Sequence, residues 1–173
     1  MQPMPSVEER RANAVYDALL WALSRPGQIR RLPEAGEAQI IEALIDRECR
    51  VFTADPRLMP QIVRAGAEVT EITQADHVFL GALTDTAVLR QVAQGSDLYP
   101  DDGATLVLRA ELGRGAPLRF TGPGVDGALE VQLGGLPAGL WAERARLMRY
   151  PMGFEMFLLD GAQVLGVPRS TQV

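Results

Sequence analysis

Lysine is missing altogether: the chain has 173 residues and all 17 of its basic residues are arginine. A Schiff base, a P-loop lysine and a lysine general base are therefore excluded as functions of this chain. Histidine is nearly absent, with His77 standing alone. A Ser–His–Asp site would have to use it, and a metal site would have one imidazole and one thiolate at most. A single cysteine, Cys49, excludes an internal disulfide. No run approaches the 18 or so apolar residues of a membrane span. The opening MQPMPSVEERR lacks the charged-then-apolar order of a secretory signal. Net charge is −5, so sequence-independent nucleic-acid binding, which is mostly phosphate neutralisation, is not expected. What remains is 47% hydrophobic and 23% charged, enough to bury a core and too apolar for disorder. The expectation is a soluble cytoplasmic protein of one domain, without nucleic acid or membrane partners.

The pattern along the chain is α/β first, then hairpins with one further helix. Ser6 and Glu9 form a capping box, and Val15, Leu19, Ala22 and Leu23 follow on one helical face, which stops before Pro26-Gly27. Residues 28–32 read as extended, 38–46 as helix and 51–53 as strand. Asp55-Pro56 starts a helix that ends on Gly66. Segments 69–72 and 77–80 look strand-like, and Thr84 is positioned to cap a helix through residue 94, closed by Gly95. Further on, 104–112 alternates and is β-rich, and Gly113-Arg114-Gly115 signals a hairpin into 117–121. Strand 129–133, helix 138–149 and strands 154–159 and 163–167 complete the reading, the last two flanking an Asp160-Gly161 turn. The expected architecture is a mixed β-sheet flanked by helices.

Chemistry-bearing groups are sparse. The stretch RFTGPGVDG (119–127) follows a strand and is glycine-rich, as some phosphate cradles are. Such a cradle also opens a helix, whereas LEVQL follows here, so the loop reads as a turn whose glycines give backbone freedom or close approach. Asp101-Asp102 and Asp46/Glu48 read as solvated acids, His77 beside Asp76 as a partner-satisfied or exposed histidine, and Cys49 as an apolar filler. Arg144, Arg146 and Arg149 share a helix and read as a solvated face. Their sharper alternative is contact with an anion or acidic partner. Pro168-Arg169-Ser170-Thr171 is unusual for a frayed tail and invites a partner or an anion.

Taken together, six stretches resemble one family, PhnH, a subunit of the bacterial carbon–phosphorus lyase system. They are LLWALSRPG (19–27), LIDRE (44–48), GATLVL (103–108), LRFTGPG (118–124), YPMG (150–153) and VPRST (167–171). The resemblance implies an α/β fold similar to the large domain of pyridoxal-phosphate-dependent transferases, but without that cofactor or any other. It implies a homodimer that joins PhnG, PhnI and PhnJ. That assembly couples a phosphonate to the ribose of ATP, and partner subunits later break the carbon–phosphorus bond. No catalytic or metal residue is carried over. The matched motifs make Arg25, Pro26, Gly27, Gly122, Gly124, Glu155, Arg169 and Ser170 candidates for partner or anion contact. If the chain instead binds a phosphonate or nucleotide on its own, Arg25, Arg169 and Glu155 are expected to converge in a pocket. The sequence departs from the family at Asp17, where arginine is usual, at Glu155, which replaces an aspartate, at Cys49, and in a shortened 27–44 segment.

Overall fold

A computed structural model describes residues 4–173; the first three residues of the N-terminal reading lie outside it. The capping box forms as read. Ser6 Oγ accepts from Glu9 N at 3.1 Å and Glu9 returns a bond to Ser6 N, opening helix α1, Val7–Ser24. Val15, Ala18, Leu19 and Ala22 are its buried stripe, and the turn at Pro26-Gly27 ends it. Strand β1 (Arg30–Arg31), helix α2 (Ala38–Leu44) and strand β2 (Arg50–Thr53) follow. Asp55 caps the next helix through Arg57 N, as its position before proline predicts. The first turn, Pro56–Leu58, is 3-10, and α3 runs Met59–Ala65 to a left-handed Gly66.

Strand β3 is only Glu68–Val69, and the remainder of the strand-like 69–72 segment feeds a 3-10 turn at Ile72–Gln74. Strand β4, His77–Ala82, is followed by a second correction. The expected helix from Thr84 is a 3-10 segment, Thr86–Gln91, capped by Asp85. Its β-branched Thr86 and Val88 disfavour a longer α-helix, and Leu89 is its one fully buried anchor.

Strand β5 (Thr105–Arg109) pairs in parallel with β4 and with β8 (Glu155–Asp160), and β8 pairs antiparallel with β9 (Gln163–Val167). The full sheet has the order β1-β9-β8-β5-β4-β2-β3, parallel from β3 to β8 and antiparallel at β9 and β1. It is the mixed sheet that the sequence predicts. Leu106, Val107 and Leu108 are all buried, because a central parallel strand is covered on both faces.

The 113–115 glycines do not reverse the chain. Glu111–Phe120 is one strand, β6, and the glycines bulge out of it between Leu112 and Pro117. Its partner is β7, Leu129–Gly134, so residues 122–127 form the turn of a two-stranded ribbon. At the other hairpin Asp160 pairs with Gln163, which makes Gly161 and Ala162 the turn residues, one position later than expected. Gly161 at φ 58° supplies the conformation the turn needs.

Two cores line the sheet. Helices α1 and α2 cover Val51, Phe79, Val107, Phe157 and Val164 on one face. The ribbon and helix α4 (Leu140–Leu147) cover Val78, Leu106, Met156, Leu158 and Leu165 on the other. That second face is therefore half β-ribbon rather than all helix. A Cβ at Gly166 would lie 2.5 Å from the Ala22 carbonyl, so this glycine lets α1 settle directly onto β9.

Candidate functional site

The matched stretches 19–27, 118–124, 150–153 and 167–171 converge where the ribbon turn, the end of α1, α4 and residues 168–173 meet, whereas 44–48 follows α2 on the other face of the sheet. The ribbon continues into this closing segment: Thr121 N donates to Gln172 O at 3.0 Å and Gln172 N to Thr121 O at 2.9 Å. Gly122, at φ 120°, lets the turn pass so close that a Cβ would sit 2.7 Å from Ser170 O. A Cβ at Gly124 would strike the Ser24 carbonyl and lie 2.8 Å from Pro26 Cδ. A Cβ at Gly27 would meet Leu129 at 2.7 Å and Val131 at 2.9 Å. The RFTGPGVDG loop is thus a close-packed joint between α1, the ribbon and the closing segment, with its glycines used for contact.

Two arginines fasten the segment. Arg169 N donates to Glu155 Oε2 at 2.7 Å and its Nε to Oε1 at 2.5 Å. Its Nη1 donates to Pro100 O and, at 3.3 Å, to Pro151 O. Arg144 donates from Nη1 to Thr171 O at 2.9 Å and from Nη2 to Pro168 O at 2.7 Å. Its residue exposure is 2%, so the solvated-face reading of the three arginines fails at Arg144, while Arg146 and Arg149 are exposed. The signal for this was present. Leu140, Arg144 and Met148 recur every four residues and share the inward face of α4. Burial pushes the Arg144 guanidinium down to about 10, opposed by the field of Glu155, and it stays charged at neutral pH.

A cavity of about 490 Å³ opens between α4 and the closing segment. Trp141, Arg144 and Met148 form one wall; Arg169, Ser170 and Thr171 form the other. Arg169 and Glu155 are brought together as an ion pair, but of the three residues expected to converge only Arg169 lines this cavity; Glu155 and Arg25 do not. Its guanidinium instead lies 5.8 Å from the Trp21 ring centroid. Pro26 is buried against the ribbon turn.

The remaining candidates are placed elsewhere. Asp101 and Asp102 are exposed in a 3-10 turn, and Asp46 accepts from Glu48 N at 2.9 Å as a local turn bond. Asp76 belongs to Arg50, which holds it by 2.6 and 3.2 Å side-chain bonds. His77 is mostly buried with Nδ1 unpartnered, and burial pushes its pKa down. Burial pushes the Cys49 thiol up, which keeps it a thiol at neutral pH. Among the described residues no group of three His, Cys, Asp or Glu side chains is placed to hold a metal.

Fold and site together define an α/β protein in which paired glycines and two arginines lock the closing segment to a mixed sheet. The family model described as bacterial phosphonate metabolism protein (PhnH) matches residues 6–173, and the chain belongs to that family. Two relatives each match 94% of the chain. HtxG of Stutzerimonas stutzeri, named for a C-P lyase subunit, is 29% identical over 86% of its own length. The alpha-D-ribose 1-methylphosphonate 5-triphosphate synthase subunit PhnH of Rhizobium meliloti (strain 1021) is 32% identical over 90% of its length.

Proposed function

We propose that this chain is a non-catalytic subunit of a carbon–phosphorus lyase assembly, supporting the coupling of a phosphonate to the ribose of ATP while partner subunits carry the chemistry. The carrying observation is the family match across residues 6–173, with relatives aligned along 86% and 90% of their own lengths. The residues joined by the matched motifs support a structural role. Glycines 27, 122 and 124 are occupied by packing, and Arg169 and Glu155 satisfy each other.

The partners in this reading are PhnG, PhnI and PhnJ, and the chain forms a homodimer when alone. Such contacts need apolar surface. Tyr16 and Leu20, one turn apart on α1, are 53% and 56% exposed, and Tyr99 and Tyr150 are 61% and 76% exposed. Both cores lie against one seven-stranded sheet, which supports reading 1–173 as a single PhnH-like domain. The mainly parallel core with helices on both faces supports kinship with the large domain of pyridoxal-phosphate-dependent transferases, and without lysine the chain cannot form an internal aldimine. A cytoplasmic location belongs to the same reading; no helix among the described residues is long and apolar enough to cross a membrane.

Complementation tests the role. In a bacterium lacking its own PhnH but retaining the other subunits, this chain is expected to restore growth on methylphosphonate as sole phosphorus source. Expression of folded protein without any restored growth, in a host supplying this chain's own PhnG, PhnI and PhnJ, would overturn it.

A further inference from the structure

The buried charges of this protein follow a rule with one exception. Glu37 is held by Arg109 at 2.7 Å, and Glu143 by Arg90 at 2.6 Å. Arg144 is the one buried arginine among the described residues, and it makes no ion pair there. A buried cation without a counter-charge is costly, and backbone carbonyls offset only part of that cost. Its two carbonyl bonds leave the Nε–H without a partner, and the hydroxyl of Thr171, also 2% exposed, has none either. Both residues line the same cavity. Among the described residues the carboxylate whose field reaches Arg144 is Glu155, and both its oxygens are engaged by Arg169. Arg144 therefore has no carboxylate paired with it, on a chain whose net charge is −5. About 490 Å³ falls in the range of small-ligand pockets, and Trp141 and Met148 give it an apolar wall.

We propose that this cavity is an oxyanion site, binding a phosphoryl or carboxylate group with Arg144 as its charge partner and Thr171 Oγ1 as a further donor. The ligand's apolar body lies against Trp141 and Met148. Arg169 has a different task, since its Nε and Nη1 donors are committed to Glu155, Pro100 and Pro151. The site does not depend on the subunit reading, because it is complete within one chain.

The chain's two tryptophans make the test direct. In a Trp21→Phe background the emission reports Trp141 alone. Inorganic phosphate, methylphosphonate and benzoate are titrated into the isolated protein at constant ionic strength. At least one is expected to change the emission saturably and to raise the melting temperature, as a ligand of the native state must. Arg144→Gln is expected to abolish the response. Because that variant also frees the closing segment, Ala145→Phe serves as the second. Ala145 is exposed at the cavity mouth, so the ring narrows the cavity and leaves the core intact. It should melt with the parent and weaken binding by roughly tenfold or more. No saturable response to any probe up to about 20 mM, or full-strength binding by both variants, overturns the proposal. The source is read from the co-purified assembly. Continued binding there points to a free ligand, and loss of binding there points to an acidic side chain of a partner; either supports the site.

Discussion

Glu155 accepts both the backbone N–H and the Nε–H of Arg169, at 2.7 and 2.5 Å, so one carboxylate fixes an arginine's main chain and side chain together. The same guanidinium then reaches the Pro100 and Pro151 carbonyls, tying three segments distant in sequence. Both partners are largely shielded, at 15% and 20% side-chain exposure. Arg169→Ala removes the guanidinium from the Glu155 carboxylate, which keeps only the backbone N–H of residue 169, and from the Pro100 and Pro151 carbonyls, and is expected to cost about 3 kcal/mol. For a chain of this size that lowers the melting temperature by roughly 6–12 °C. Thermal unfolding followed by circular dichroism checks it, and a variant melting with wild type contradicts the clamp.

The ribbon turn separates two uses of glycine. Gly124 and Gly127 both have positive φ, 82° and 68°. Only at Gly124 does an added Cβ strike backbone; at Gly127 nothing lies within 4 Å. Gly127→Ala should cost about 1 kcal/mol, the strain of the conformation alone. Gly124→Ala should cost about 3 kcal/mol or more, because the Ser24–Pro26 corner must move as well. Equal costs in chemical denaturation would show that the turn is not a packed joint.

His77 gives a pH signature. Burial depresses its folded pKa, against the raising fields of Asp76 and Asp46. A histidine protonated more readily in the unfolded chain destabilises the fold as pH drops below about 6.5, and the loss levels off below the folded pKa. Wild-type melting temperature is therefore expected to fall from pH 7.5 to pH 5, and His77→Gln to flatten that slope. With one histidine in the chain, its imidazole resonance assigns the titration directly. At lower pH a further loss follows. Burial pushes the Asp76 carboxyl up, but the Arg50 hydrogen bonds and charge outweigh it and hold it below the usual range. Its stabilisation is present above about pH 4 and lost as pH falls through the folded value.

How far the sequence carried the fold depends on how local each signal is. The Ser6–Glu9 box, the Asp55-Pro56 start and the Gly66 stop are set by adjacent residues, and all three stand in the structure. The hairpin at 113–115 failed because pairing partners are chosen over long range. β5 finds β4 and β8, and β6 finds β7, so the same glycines bulge rather than reverse the chain. Arg144 was read by its charge, though the Leu140–Arg144–Met148 spacing already placed it inward. Arg25 and Arg169 share the matched motifs, yet only Arg169 lines the cavity, since motif membership gives no distance in space.

Partner docking has its own test at Tyr150, 76% exposed beside the Arg169 clamp. Aromatic side chains that are solvated in the free protein lose little stability when removed but dominate many interfaces. Tyr150→Ser is expected to melt within about 1 °C of wild type and to weaken co-purification with the partner subunits by roughly tenfold or more. Full retention of the partners would remove this surface from the interface.

The most direct measurement of the subunit role is native mass spectrometry of this chain, tagged and co-expressed with PhnG, PhnI and PhnJ of the same organism. The account predicts a particle containing all four proteins in fixed stoichiometry. A homodimer that elutes free of every partner would contradict it.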